Sequence, residues 1–377
     1  MVPPMVKLSA LFLMFFSAWQ VSFAGRADGP LTPTMHTPEP AFAGSGTVVS
    51  APSSGAISGE ISGEISGAGS SRKQPPATSQ ADDPRTVDNW LDMMMRSMSQ
   101  QNFQGTLIVR QANKIQVIKV KQGVTTDGSW QIMETLTGEN QKVIRKDDKV
   151  TTIFPAKRLV TISDSVHKRP LHAILPENYR KLKQYYKMEL SGQDRVANKV
   201  TQIVQMIPLD KYRYGYTFWL DRQSGMLLKC DLMDEKHQVL EQLMYSNIKL
   251  LPSAPEKGID QRLLATYQQV NLQDKSETAT KLWRADRLPA GFTLSRSVHI
   301  PSQHNHSKTY HMVFSDGMAL VSVFVEARGN MKKPVLGLSS MGKVNAYSAY
   351  VNDTYITAIG EVPASTVRMI ARSMRPE

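Results

Sequence analysis

Four histidines, His299, His304, His306 and His311, sit in one short stretch and form the densest group of side chains that could ligate a metal or move a proton. A His-x-His pair can hold a transition metal when thiolates or carboxylates complete the set. No Cys and few acids accompany this one, and Ile300 to Tyr310 reads as a polar loop between two strand patterns. The adjacent carboxylates Asp147 and Asp148 fall in a short turn between strands, where Asp is favoured for its conformation as much as for acid–base work. Ser339-Ser-Met-Gly lacks the GxSxG spacing of a nucleophile elbow, and no phosphate-cradling glycine motif is present. The single cysteine, Cys230, has no internal disulfide partner, and its place in a strand pattern reads as a small buried residue. The chain therefore reads as a binding protein rather than an enzyme, with no catalytic residues, no metal and no cofactor.

Binding chemistry is better represented. Lys168 to Lys187 interleaves Lys168, Arg169, Arg180, Lys181 and Lys183 with Tyr179, Tyr185, Tyr186 and the apolar Leu171, Ile174 and Leu175. A cationic rim around an apolar opening suits an amphiphile with an anionic headgroup, its phosphates on Lys and Arg and its tails inside. The competing reading is a connector with solvated charges. Basic residues among aromatics also fit single-stranded nucleic acid, but the N-terminus speaks against that partner. Lys7, the apolar run Leu8 to Phe23 and the small residues Ser22 and Ala24 are those of a cleavable secretory signal.

These groups need elements to position them. Thr86 is a cap candidate for a helix in which Val87, Trp90, Leu91, Met94, Met95 and Met98 recur at the helical spacing. Trp90, Met94 and Met98 are its candidate amphiphile contacts, and packing on a sheet is the competing role for this Met-rich face. Alternating runs from Gly105 to Ile162, a helical break over 171–186, and further runs from Asn198 to Ile248 predict an antiparallel meander that curls. After Leu250 the chain turns polar. A second group of strands follows Trp283, closed by a helix with Pro363 near its first turn and Arg372 near its end. The 377 residues divide into a signal (1–24), a Gly/Ser/Pro-rich stretch (25–83), a first domain (84–250), a linker (251–281) and a second domain (282–377). The 25–83 stretch repeats Ile-Ser-Gly-Glu-like units from Ile57 and has too little apolar area to offset chain entropy, so it is expected to be a disordered spacer. A net charge of +12 points to anionic partners without ranking them.

Several segments, taken in order, are similar to one family. Asn102-Phe-Gln-Gly-Thr, Tyr212-Arg-Tyr-Gly-Tyr-Thr-Phe-Trp-Leu-Asp-Arg-Gln-Ser-Gly-Met-Leu-Leu-Lys, Leu288-Pro-Ala-Gly-Phe, Ser315-Asp-Gly-Met-Ala-Leu-Val-Ser-Val-Phe-Val-Glu, Met341-Gly-Lys-Val-Asn-Ala-Tyr and Gly360-Glu-Val-Pro-Ala-Ser-Thr-Val resemble the RseB/MucB family, periplasmic regulators of the envelope-stress factor sigma-E. The likeness covers about 86–374, and the Ile-Ser-Gly-Glu repeats depart from it. The resemblance implies an α+β, mostly antiparallel protein. Its first domain would be an unclosed half-barrel with covering helices, like the periplasmic lipoprotein carriers, and its second a smaller sheet with a terminal helix. It also implies a regulator in the periplasm of a Gram-negative bacterium that binds an anti-sigma factor (RseA/MucA-like) and protects it from proteolysis. Lipopolysaccharide or another acylated amphiphile would release that partner. Motif membership makes Phe314, Asp316, Glu326, Tyr347, Glu361 and Arg368 the candidate peptide contacts, with core or turn roles open for each. The competing function is a periplasmic lipid or lipoprotein carrier or chaperone; a homo-oligomer is left open.

Overall fold

The computed structural model describes residues 85–147, 149–164, 175–259, 261–272, 277–278, 283–301, 308–327 and 335–377. The expected signal, the Gly/Ser/Pro-rich stretch, Asp148, Lys168, Arg169, His304 and His306 lie outside the described residues.

A twelve-stranded sheet carries the first part of the chain. Its strands are β1 (Asn102–Gln111), β2 (Lys114–Thr125), β3 (Gly128–Thr135), β4 (Lys142–Lys146), β5 (Lys149–Phe154), β6 (Leu159–Asp164), β7 (Tyr186–Val196), β8 (Lys199–Pro208), β9 (Gly215–Asp221), β10 (Leu227–Met233), β11 (Val239–Leu251) and β12 (Gln268–Leu272). The spatial order is β12-β6-β5-β4-β3-β2-β1-β11-β10-β9-β8-β7. Two meanders, β1–β6 and β7–β11, meet where β1 pairs antiparallel with β11. The end strands β12 and β7 do not pair with each other, so the sheet is unclosed. Part of the expected linker is thus structural: a short helix, Gln261–Ala265, leads into β12, which joins the far edge parallel to β6. Polar Gln268, Gln269 and Asn271 suit an edge strand and hid this pairing.

Register sorts the side chains by face. Opposite partners on β1 and β2 place Phe103, Gly105 and Leu107 with Gln122, Val120 and Ile118 on one side, leaving Lys119 and Lys121 on the other. Helix Val87–Gln100 covers the first side. The Thr86 hydroxyl accepts the Asn89 N–H at 3.3 Å, Asp88 lies in the first turn, and Trp90, Leu91, Met94 and Met98 are buried. Burying each such side chain is worth about 1.5–3 kcal/mol. They join Phe103, Ile118, Val120, Phe218, Leu220 and Leu228 in one core.

To pass from β6 at one end to β7 at the other, the chain must recross this covered side. Residues 175–185 do so as a strap over the helix, with Leu175, Tyr179 and Leu182 buried and a 3-10 turn at Tyr179–Gln184. That turn is shorter than the helical stretch expected over 171–186.

The second sheet contains β13 (Glu277–Thr278), β15 (Thr293–Pro301), β16 (Lys308–Ser315), β17 (Leu320–Ala327), β18 (Gly337–Met341), β19 (Val344–Val351) and β20 (Thr354–Gly360). All neighbours are antiparallel in the order β13-β15-β16-β17-β20-β19-β18. Asn352 and Asp353, both at positive φ, make the tight hairpin between β19 and β20. Helix Ala364–Ser373 packs Val367, Ile370 and Ala371 onto Met312, Phe314, Val321, Val323, Ile356 and Ala358. Its end runs directly into β21 (Met374–Pro376), which pairs with β14 (Trp283–Ala285) and ties the end of the chain to the start of this domain.

Candidate functional site

The loop before β9 is the tongue by which the first sheet grips the second. Arg213 is wholly buried, and its Nε donates to Asp316 Oδ2 at 2.8 Å across the seam. Its other nitrogens reach the Asp210 carboxylate and the Ala290 carbonyl. The guanidinium also lies 4.5 Å from the Tyr185 ring centre and 5.4 Å from that of Phe292. A planar cation with five donors matches such a crowded site where a lysine would not. Gly291, at positive φ, brings its backbone against the Tyr185 ring, which a Cβ would enter at 2.5 Å.

The next residue extends the grip. Tyr214 Oη is within 3.1 Å of both the Lys343 and Val362 carbonyls and accepts from Asn345 Nδ2 at 2.9 Å. Burial pushes its hydroxyl pKa up to about 12, so it stays protonated. Lys343 Nζ donates to Glu241 of β11 and to Glu361, each at 2.9 Å. Burial works against that ammonium, but the two carboxylates outweigh it and hold its pKa above the ordinary lysine value. The hydroxyls of Ser365 and Thr366 donate to the Lys211 and Tyr212 carbonyls at 2.6 and 2.8 Å. The seam is polar, buried and hydrogen-bonded, so loss of one member leaves a charge without its partner.

The six candidate peptide contacts do not form one surface. Phe314 is core. Asp316 is consumed by Arg213 and by the N–H groups of Met318 and Ala319, at 2.9 and 2.8 Å. Glu361 belongs to the Lys343 cluster. Glu326 is buried on the face of the second sheet away from the helix. Its Oε1 accepts from Thr309 at 3.4 Å, its Oε2 has no hydrogen-bond partner, and burial raises its carboxyl pKa. Tyr347 and Arg368 do come together: Arg368 and Arg372 lie 5.9 and 5.3 Å from the Tyr347 ring centre, and Arg372 Nε donates to its hydroxyl at 2.9 Å. Leu338 of β18 stands opposite Tyr347 in register and is exposed, as are Leu336 and Met341.

The amphiphile candidates divide as well. Trp90, Met94 and Met98 are core beneath the helix, not the wall of an open cavity. Arg180 and Lys183 face acids of that helix instead of a pocket: Arg180 pairs with Asp92 at 2.5 Å and Lys183 with Asp88 at 2.7 Å. The Tyr179 hydroxyl donates to Asp92 at 2.8 Å, and burial followed by that bond raises its pKa. Lys181 is exposed on the same turn. This basic run therefore latches the strap to the helix. Cys230 is buried, and burial pushes its thiol pKa well up.

Sequence reasoning missed Arg213, Tyr214, Glu241 and Lys343. The local signal was the Tyr212-Arg-Tyr-Gly-Tyr run, whose density of large side chains asks for a second surface, and Lys343 lies in another of the segments that carry the family resemblance.

Family models of the MucB/RseB N-terminal domain and the MucB/RseB C-terminal domain match residues 86–263 and 277–375. The sigma factor AlgU regulatory protein MucB of Pseudomonas aeruginosa is 28% identical over 306 residues, 80% of this chain and 93% of that protein. The sigma-E factor regulatory protein RseB of Haemophilus influenzae is 24% identical over 294 residues, 76% and 90% of the two chains. Among solved structures, the Pseudomonas aeruginosa MucA/MucB complex is similar at a TM-score of 0.62 and 27% identity, covering 77% of this chain and 99% of that one. MucB in complex with MucA(peri) gives 0.60 and 27%, covering 78% and 99%.

Proposed function

The chain belongs to the MucB/RseB family, and we propose that it is a periplasmic regulator that binds the periplasmic segment of a transmembrane anti-sigma factor. In this reading it shields that segment from proteolysis and releases it when lipopolysaccharide or another acylated amphiphile binds. The observation that carries the reading is likeness, over nearly the whole length of that chain, to a MucB solved together with MucA. Binding rather than turnover is part of the same proposal.

The second sheet supplies the place for an extended peptide. Among the described residues β18 is an end strand without a charged side chain; it carries exposed Leu338 and Met341 and follows exposed Leu336. A peptide strand adds there through main-chain hydrogen bonds, its acidic side chains meeting Arg368 and Arg372. Asp316 and Glu361 serve the seam instead.

An amphiphile would enter the first domain by lifting helix Val87–Gln100 with its strap, because the space beneath is filled by Trp90, Leu91 and the methionines. This argues against a carrier with a standing lipid cavity. Release requires the amphiphile to prefer the peptide-free state, since equal affinity for both states shifts nothing. The test is titration of the protein with the purified periplasmic segment of its anti-sigma factor, with and without lipopolysaccharide, beside protease cleavage of that segment. Tight binding, protection, and loss of both on adding lipopolysaccharide are expected. A segment that neither binds nor is protected in either condition sinks the proposal.

A further inference from the structure

The outer face of the first sheet, away from helix Val87–Gln100, carries lysines that neither the seam nor the peptide reading uses. Register puts Lys119 and Lys121 of β2 and Lys142 and Lys146 of β4 on this face, flanking Trp130 and Ile132 of β3. Two strand spacings separate the rows, about 10 Å, so stems rising from both sides can bring their ammonium groups together above β3. The chain leaving β11 crosses here and contributes Lys257, whose Nζ is 5.6 Å from the Trp130 ring centre.

Two hollows result. One, of about 280 Å³, is lined by Trp130, Lys146, Asp127 and Lys257. The other, of about 180 Å³, is lined by Lys119, Lys121, Lys142, Glu134 and Lys257. Lys257 stands at the wall they share, so five ammonium groups border the pair against two carboxylates. Glu134 offsets Lys142 alone, at 3.6 Å. The crossing chain is fastened by one of these lysines, since Lys121 Nζ donates to the Glu256 carbonyl at 2.9 Å.

We propose that this two-lobed cleft binds a phosphate-bearing ligand, with Trp130 and Ile132 as floor. A phosphate oxygen is a stronger acceptor for Lys121 than the neutral Glu256 carbonyl, because a charge-assisted bond exceeds a neutral one. Occupancy therefore withdraws Lys121 from the chain that joins the two sheets. Lysine ammonium groups act on phosphate as point charges, so binding falls steeply with ionic strength.

The test is calorimetric titration of the full chain with sodium pyrophosphate at low salt, with sedimentation of the protein with phosphatidylglycerol and phosphatidylcholine vesicles in parallel. The Lys121→Gln/Lys257→Gln variant is compared with Lys114→Gln/Lys236→Gln, which removes the same charge elsewhere on the surface. Saturable pyrophosphate binding is expected, weakened about tenfold or more in the first variant and within about twofold of the parent in the second. Pyrophosphate binding identifies a soluble phosphate as sufficient. Retention on phosphatidylglycerol alone, lost in the first variant only, identifies a lipid headgroup as the source; either supports the site. Absence of binding to both probes, or equal loss in both variants, overturns it. No anti-sigma segment is present, so the result is separate from the regulatory proposal.

Discussion

Helix Val87–Gln100 and helix Ala364–Ser373 each cover one face of a sheet, but they are fastened differently. The first buries Trp90, Leu91, Met94 and Met98. Its rim is held by Asp88–Lys183 and Asp92–Arg180, pairs whose four side chains are 31–56% exposed. The second buries Val367, Ile370 and Ala371 completely. Its Thr366 hydroxyl bonds across the seam, its Ser373 hydroxyl donates to the Arg287 carbonyl at 2.8 Å, and its end continues into β21. Methionine is flexible and fills gaps adaptably, and exposed ion pairs add little. The first cover thus rests on an adaptable core, exposed rim pairs and the Gln122 amide that donates to the Met98 and Gln101 carbonyls, whereas the second is bonded across the seam and continuous with a strand.

Breaking the second cover should do the most damage. Ile370→Ala opens a cavity at a fully buried site and is expected to cost about 2–5 kcal/mol, whereas Met94→Leu under the first helix should cost less than about 1.5 kcal/mol. Urea denaturation of the two variants checks the contrast, and equal losses would erase it.

A steric wedge tests the first cover directly. Gly225 holds φ at +73°, and a Cβ there would lie 2.5 Å from Met93 Cγ and 2.9 Å from its carbonyl carbon. Gly225→Ala is expected to cost about 1–3 kcal/mol. Amide exchange should quicken across Val87–Gln100 and stay unchanged across Ala364–Ser373. Parallel quickening of both helices would mean that the covers do not move separately.

Removing the rim acids is gentler. Asp88→Asn with Asp92→Asn should weaken the first cover by about 0.2–1 kcal/mol per pair, and the difference should shrink at high salt, where exposed pairs are screened. A deficit that stays the same in 1 M salt (roughly a 3 Å screening length) would assign the effect to something other than these pairs.

The smallest effect sharpens the contrast from the face of the second sheet opposite its helix, where Glu326 is buried. Burial raises the Glu326 carboxyl pKa, so its folded form holds its proton more tightly than the unfolded chain does. Its contribution is complete below the ordinary carboxylate value and declines as pH rises through the raised one. Glu326→Gln should therefore gain stability relative to the parent as pH goes from 4 towards 7, about the carboxylate range, read as melting temperature against pH. A difference that is flat with pH would remove Glu326 from the titrating groups.

Local pattern made the first helix legible: the Thr86 cap and the three-and-four spacing of Trp90, Leu91, Met94 and Met98 all lie within one short segment. The strands were legible for the same reason, through alternation and turn residues. The seam was not, because Arg213 and Asp316 are 103 positions apart and nothing local to either shows that they meet. Both lie in segments that carried the family resemblance, so motif membership marked them without separating a peptide contact from a domain lock. β12 was hidden for another reason: an edge strand beside solvent needs no apolar face, and its polar residues read as linker. The basic run over 180–183 was read as a cationic rim around an apolar opening, whereas Arg180 and Lys183 pair with acids of the first helix over a filled core. Its pairing with Asp88 and Asp92 depends on a strap whose path only the whole sheet defines.

The β1–β11 ladder at the middle of the first sheet bears on how quickly this molecule is made. Phe103 meets Leu250 there, and Gln111 meets Glu241. Each meander can assemble from neighbours in sequence, but joining them closes a loop of roughly 140 residues at an entropic cost of about 4 kcal/mol. Assembly is therefore slow relative to a domain of local contacts. While this ladder is unmade, β1 and β11 each present an open edge that can pair with the wrong strand.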